Sequence, residues 1–359
     1  MPMMPMPALP ASVALTGALA VAAAYGAIAA PRAVRVLLAA VAWDRFLGEP
    51  PLSVHPVMLL GHAITAALRR TPERVLASPP LGLAAGGALV MGLLCVTGAC
   101  VTLLVAGSRA ATEALAGGAC GAAARFGTFA LEALLLKSAL SLQLLCNVPA
   151  QMCKLLERGQ LAAARTQLSW LCSRDPAALD GEALAGATLE SLAENLSDGF
   201  VAPLFWFLIG GPAGALVYRA ANTLDSRVGY RGRFEWFGKV AARLDDALNL
   251  LPARLTALLL VIAAAAVPGC DGRLGLRVAW RDCERCASPN AGWPMGAMAG
   301  LLGVRLEKAG EYQLGDATRA LEPHFIRTGC RVAHLAGGLA VALACAVAVA
   351  QHRSTLVVS

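Results

Sequence analysis

Between residues 190 and 249 the chain reads ESLAENLSDGFVAPLFWFLIGGPAGALVYRAANTLDSRVGYRGRFEWFGKVAARLDDALN. Acids, amides and arginines crowd both ends of a strongly apolar run. Polar groups at membrane depth are expensive, so such a cluster marks a functional site by default. On a helix, Glu190, Glu194 and Asp198 fall within an arc of about 80°, with Asn195 beside them. Three carboxylates on one stripe repel unless a cation sits among them, and Mg²⁺ is the natural partner. A solvated helix face is the alternative, weakened because GFVAPLFWFL follows directly. Arg219, Asn222 and Asp225 recur at i, i+3 and i+6, which keeps them near one another. With Arg227 they offer oxygen ligands for a metal and guanidinium forks for phosphate oxygens. Arg243, Asp245, Asp246 and Asn249 form a third group. Adjacent aspartates point about 100° apart, so at most one is expected to face a shared site; Asp245, with Asn249 at i+4, is favoured.

Glu49, His55 and Asn290 lie in proline-interrupted loops, GEPPLSVHP and CASPNAGWP. Loops of this kind carry function disproportionately. His55 reads equally well as a general base and as a structural residue before proline. Cys283 and Cys286 make a single Cys-x-x-Cys, and a zinc site would want a second pair. The remaining cysteines, of eleven, sit mostly in apolar runs as small hydrophobes. There is no H-E-x-x-H, no phosphate-binding G-x-x-x-x-G-K-[ST], no G-x-S-x-G and no dinucleotide fingerprint.

The elements that must position these residues follow from composition. Of 359 residues, 57% are hydrophobic and only 15% charged. Mean hydropathy is +0.62. The expected fold class is all-α, a polytopic integral membrane protein of about five spans. Net charge is +7, mostly arginine, which suits lipid head groups rather than nucleic acid, since no basic stripe is interleaved with aromatics. Candidate spans are 11–30, 81–106, 126–148, 200–217, 250–267 and 332–350. The third carries Glu132 and Lys137, and the fourth is broken by Pro203 and Gly210-Gly211-Pro212. Residues 154–187 read as an amphipathic helix pair turning at Asp175-Pro176. The chain reads as one membrane-embedded domain, 1–359, with polar stretches at 43–80, 149–199, 219–249 and 269–331. A first membrane helix is favoured over a cleaved signal, because no basic residue precedes Arg32. Arginines in nearly every loop leave orientation open. Simple alternation of spans would put the 190 and 220 clusters on opposite faces. A re-entrant 200–217 segment would bring them together, and is preferred.

The strings GEP at 48–50, HP at 55–56, LSW at 168–170, RD at 174–175, ESLAENLSDGFVAPLFW, NTLDSRVGY, ARLDDALNLLPARLT and SPNAGWPMGAMAGLLGV occur in an order that resembles the CobD/CbiB family, the adenosylcobinamide-phosphate synthases of cobalamin biosynthesis. The chain departs from the family pattern at Glu49, usually Asp, and at Leu196, usually Thr. The resemblance implies ATP-dependent amide ligation of (R)-1-amino-2-propanol, or its O-phosphate, to the free propionate of adenosylcobyric acid. It also implies Mg²⁺ with ATP as cosubstrate, a corrinoid as substrate, a bilayer around the protein (the cell membrane, if it is bacterial) and other corrinoid-pathway membrane enzymes as neighbours. On that reading Glu190, Glu194, Asp198, Asp225 and Asp245 are metal ligands or support them, with Glu194, Asp198 and Asp225 also catalytic. Asn195, Asn222 and Asn290 orient phosphates or metal-bound water, Arg219, Arg227 and Arg243 neutralise phosphates, and His55 is a candidate base. Rivals are an intramembrane prenyltransferase-like enzyme using Mg-diphosphate through NTLDS and RLDD, a transporter with broken helices, and a non-catalytic partner of corrinoid enzymes. No inverted repeat supports the transporter.

Overall fold

The computed structural model describes residues 30–50, 55–115, 117–169, 171, 176–177, 179–230 and 232–358. The candidate span 11–30 falls outside these except for Ala30, as do Trp170, Arg174 and Asp175. The described chain is almost wholly helical. Five helical stretches are long and apolar enough to cross a membrane: Pro79–Ala114, Gly118–Glu157, Gly181–Val228, Glu235–Ala264 and His324–Ser354. The fold is an all-α polytopic membrane protein.

Helices α1 (Arg32–Phe46), α2 (Pro56–Arg70) and α3 (Glu73–Ala77) lead into α4 (Pro79–Ala114). Helix α4 buries only Gly82, Gly86, Val90, Thr97 and Val101. Met91, Val96, Leu103 and Leu104 on its other faces stay exposed, an apolar surface suited to lipid. Its small-residue stripe lets helices approach closely: a Cβ at Gly86 would run into the Phe237 carbonyl.

Residues 126–148, expected as one span, are two helices, α5 (Gly118–Lys137) and α6 (Leu142–Glu157). The break has identifiable partners. The Lys137 Nζ donates to the Leu140 carbonyl at 3.0 Å. The Ser141 amide donates to the Gly199 carbonyl, and the Gln143 amide to the Asp44 carboxylate at 3.0 Å. Backbone groups freed by the break are thus satisfied inside the protein. The expected helix pair over 154–187 is also redrawn. Helix α6 ends at Glu157 and turns at Arg158-Gly159 into α7 (Leu161–Leu168), while the expected turn at Asp175 lies outside the described residues.

Helix α8 (Gly181–Leu196) is a core helix, with Leu184, Leu189, Leu192 and Leu196 fully buried, although it lay within an expected polar stretch. A π-helical turn, Ser197–Val201, joins it to α9 (Ala202–Val228). The two arms of α9 meet at Gly210 and Gly211, whose backbone is non-helical. Gly211 has φ +60° with ψ −154°, a region open to glycine alone. The chain reverses there. A continuous helix would hold Asp198 and Asn222 about 36 Å apart, yet their side chains lie 3.3 Å apart. A Cβ on Gly214 would strike the Trp206 carbonyl, so the arms touch just beyond the turn. The reversal brings the 190 and 220 clusters together, the meeting that was preferred from the sequence.

Helix α10 (Glu235–Ala264) begins well before the expected span at 250, so its acids and its apolar half share one rod. Residues 269–331, expected to be a long polar stretch, contain α11 (Gly272–Asp282) and α12 (Gly292–Leu302), which is buried except at Trp293. These pack tightly through Gly275, Gly296 and Gly300. The EKAGEYQ segment forms a two-stranded antiparallel hairpin, β1 (Leu306–Lys308) with β2 (Tyr312–Leu314). Helix α13 (His324–Val358) closes the bundle.

Candidate active site

The reversal of α9 drives the end of α8 against the returning arm and against α10. A cavity of about 380 Å³ opens there. Glu194 comes from α8, Ser197 and Asp198 from the π-turn, Asp225 from α9, and Asp245 and Asp246 from α10. The loop before α12 adds Ser288 and Asn290. Glu194, Ser197 and Asp198 share one face because they stand at i, i+3 and i+4. Lys239 and Arg243, one turn apart on α10, supply positive charge at the same cavity.

The polar groups are held in a directed chain. Arg219 Nη1 donates to Asn222 Oδ1 at 3.1 Å. A guanidinium only donates, so the Asn222 amide must turn its NH₂ the other way. That NH₂ lies 3.3 Å from Asp198 Oδ2 and 3.3 Å from Asp245 Oδ1. Asn222 therefore clasps two carboxylates from different elements. Asn249 Nδ2 donates to the second oxygen of Asp245 at 2.9 Å, and the buried Tyr218 hydroxyl donates to Asn249 Oδ1 at 2.8 Å. Asn290 Nδ2 donates to the Asp246 carbonyl at 2.7 Å and its Oδ1 accepts from Arg254 Nη1 at 3.1 Å. Asn290 thereby pins the 286–291 loop to α10. Arg243 stands 3.6 Å from Asp246.

The chain matches the CobD/Cbib protein family over residues 37–346. The chain belongs to the CobD/Cbib family. It is 35% identical to the cobalamin biosynthesis protein CobD of Klebsiella pneumoniae, over 84% of this chain and 94% of that protein. It is 36% identical to its namesake from Citrobacter koseri, over 87% and 97%. With the Dehalococcoides mccartyi protein of that name identity rises to 51%, across 48% of this chain and 56% of the relative. No solved structure matches.

Within this CobD/Cbib chain the expected residues divide. Glu194, Asp198, Asp225, Arg243, Asp245 and Asn290 line the cavity. Arg219 and Asn222 hold the liners from behind. Both Asp245 and Asp246 reach the cavity, where only one was expected, because the opening is wide enough for two neighbouring directions on α10. Four residues stand elsewhere. Glu190 is buried one turn before Glu194 and is not a lining residue. Asn195 donates to Ser191 Oγ at 2.8 Å, and Ser191 in turn holds the Leu171 carbonyl. Arg227 donates to Thr65 Oγ1 at 2.9 Å and lies over Gly61, tying α9 to α2. His55 caps α2: its Nδ1 accepts from the Val57 amide at 3.2 Å, so its Nε2 carries the proton toward Glu49 Oε2 at 3.3 Å.

His55 belongs to a separate buried ion network. Lys137, fully buried, lies 3.0 Å from Asp44 and 2.9 Å from Glu49. Burial pushes the Asp44 carboxyl up, against the opposing pull of Lys137 and the Gln143 amide. Burial acts upward on Glu49 too, but bonds from His55 and Lys137 outweigh it and leave that carboxyl below its ordinary value. Ser197, Lys239 and the clasp made by Asn222 were not singled out from the sequence. Lys239 at i−4 from Arg243 was a legible signal; Ser197 at i+3 from Glu194 was another.

The cavity suits a hard divalent cation by donor chemistry, since its polar wall is mostly carboxylate and amide oxygen. Among the described residues no three Asp, Glu, His or Cys side chains form a ready-made cage. Mg²⁺ does not need one: one or two carboxylates plus substrate phosphates serve it. Asp198 and Asp245, drawn together on Asn222, are such a pair.

Proposed function

We propose that this protein acts in cobalamin biosynthesis as an amide-forming ligase. It joins the free propionate of adenosylcobyric acid to (R)-1-amino-2-propanol or its O-phosphate, driven by ATP. The observation that carries this reading is the meeting of Asp198 and Asp245 on Asn222 in a cavity that also presents Lys239 and Arg243. Carboxylates there favour a cation, and the two basic side chains favour phosphate oxygens.

A carboxylate is a poor electrophile and needs activation. The propionate oxygen attacks the γ-phosphorus of ATP, forming an acyl phosphate and releasing ADP. The amine then attacks the acyl carbon, phosphate departs with the acyl oxygen, and the ammonium loses a proton. Asp198 and Asp245 would hold Mg²⁺, which when bound supplies charge neutralisation at the phosphates. Lys239 and Arg243 neutralise the phosphate oxygens that gain charge in transfer. Asp225, on the cavity wall, accepts the proton that the substrate ammonium gives up to become the attacking amine; His55, engaged with Glu49, does not serve. A cavity of this volume is on the scale of a small ligand. The corrin macrocycle stays outside it, and only the propionate arm enters.

Detergent-purified protein given adenosylcobyric acid, aminopropanol phosphate and Mg-ATP should add the mass of one amide-linked amine to the corrinoid. The gain should vanish without ATP and fall sharply in Asp245→Asn. Intact corrinoid binding with no gain from either amine would overturn the ligase reading.

A further inference from the structure

Among the described residues, the wall of the acidic cavity holds one buried polar side chain whose hydrogen-bonding capacity the protein leaves unused. Ser197 is 2% exposed, lines the cavity, and its Oγ has no hydrogen-bond partner. A buried hydroxyl without a partner is destabilising. The alternative is close at hand. A serine or threonine inside a helix can donate to the carbonyl four residues back. Thr188 on α8 does so at 2.7 Å, Thr223 and Ser226 on α9 at 2.6 and 2.8 Å, and Thr256 on α10 at 2.8 Å. Ser197 sits among these helices and makes no such bond.

Its backbone setting is also particular. Ser197 opens the π-helical turn, where the Ala202 amide bonds to the Ser197 carbonyl five residues back. Single π-turns within helices concentrate at functional sites. Here the turn holds Ser197 and Asp198 side by side on the face that carries Glu194. Ser197 is the immediate neighbour of Asp198; Asn222 holds the carboxylates of Asp198 and Asp245, Asn249 holds the second oxygen of Asp245, and Arg219 stands behind Asn222.

We infer that Ser197 Oγ is a direct ligand of a divalent cation in this cavity, beside Asp198 and Asp245. The inference rests on the reading of the cavity as a cation site. A neutral hydroxyl adds an oxygen donor without adding to the negative charge already gathered there.

The test is Mn²⁺ binding to the purified full-length protein without substrates, followed by electron paramagnetic resonance, with Cd²⁺ as a second probe. Wild type should take up Mn²⁺, and Asp245→Asn should lose it. Ser197→Ala should bind Mn²⁺ about tenfold more weakly, as expected for loss of one contact to a charged group. Ser197→Cys should shift preference from Mn²⁺ toward Cd²⁺, because thiolate favours the softer metal. A role in packing alone would not produce that shift, and the cysteine variant keeps the test decisive if the alanine variant fails to fold. Mn²⁺ uptake that needs Asp245, with Mn²⁺ and Cd²⁺ affinities unmoved in Ser197→Cys, would overturn the role of Ser197 and leave the cation site standing. No Mn²⁺ uptake by wild type would overturn both.

Discussion

Among the polar clusters of the described residues, the one around Lys137 and the one in the cavity handle charge in opposite ways. Around Lys137 the protein balances itself. One fully buried ammonium meets Asp44 and Glu49, and Glu49 is further held by His55. In the cavity between α8, α9 and α10 the carboxylates of Asp198 and Asp245 are tied by amides, with Arg219 behind Asn222 and with Lys239 and Arg243 on the cavity wall. The first arrangement is complete without a ligand and reads as structural. The second carries an excess of negative charge that a bound cation would relieve. Self-sufficiency distinguishes a buried strut from a site, even when both use the same residue types.

The contrast can be broken most forcefully at Lys137. Lys137→Met leaves Asp44 buried without its counter-ion, which should destabilise the protein by about 3–5 kcal/mol. Thermal unfolding in detergent should show a large drop in Tm, partly restored when Asp44→Leu is added. An unchanged Tm would mean that the network does not support the fold.

In the cavity the expected effects separate activity from stability. Asp245→Asn and Asp198→Asn should each lower kcat/KM by about 100-fold, near 2.7 kcal/mol of transition-state stabilisation. In the presence of a chelator both variants should melt at or above the wild-type temperature, because like charges have been removed. A Tm well below wild type in either would assign that residue to the scaffold.

Asn222→Ala sharpens the same comparison at smaller amplitude. It removes the clasp but neither carboxylate, and should lower kcat/KM by about tenfold, roughly 1.4 kcal/mol. Asn222→Leu serves as a check on packing, and equal losses in both would point to the amide.

The smallest effect is expected at Glu49, which is half-buried. Its carboxyl is held below the ordinary 4.5, so its contribution to stability is present above that pH and is lost as pH falls through the lower folded value. Asp44, pushed upward, acts with the opposite sign, which is why the comparison must be against a variant. Glu49→Gln should lower stability by about 1 kcal/mol near neutrality. The difference from wild type should shrink on acidification below pH 4.5. A difference independent of pH would assign the effect to shape.

Much of this protein is legible in its amino-acid order. Apolar runs too long for a soluble core announce a helical membrane protein, and helical spacing alone places Glu194 with Asp198 and Asn222 with Asp225. Gly210-Gly211-Pro212 marks a break, since two glycines and a proline cannot continue a helix. What spacing leaves open is which stripes meet. Asp198 and Asp245 are neighbours only because α9 reverses at Gly211, and one positive φ there decides a contact across 47 positions of chain. Periodicity likewise cannot say whether a buried charge has a partner on another helix. Glu132 and Lys137 lie in one apolar run, yet Glu132 is met by Arg32 and Arg109, and Lys137 by Asp44 and Glu49. His55 and Arg227 have side-chain chemistry that would suit the site. Tertiary packing gave each a nearer partner, Glu49 and Thr65. Residue type and local spacing determine what a side chain can do; the distances set by the folded chain decide to whom it does it.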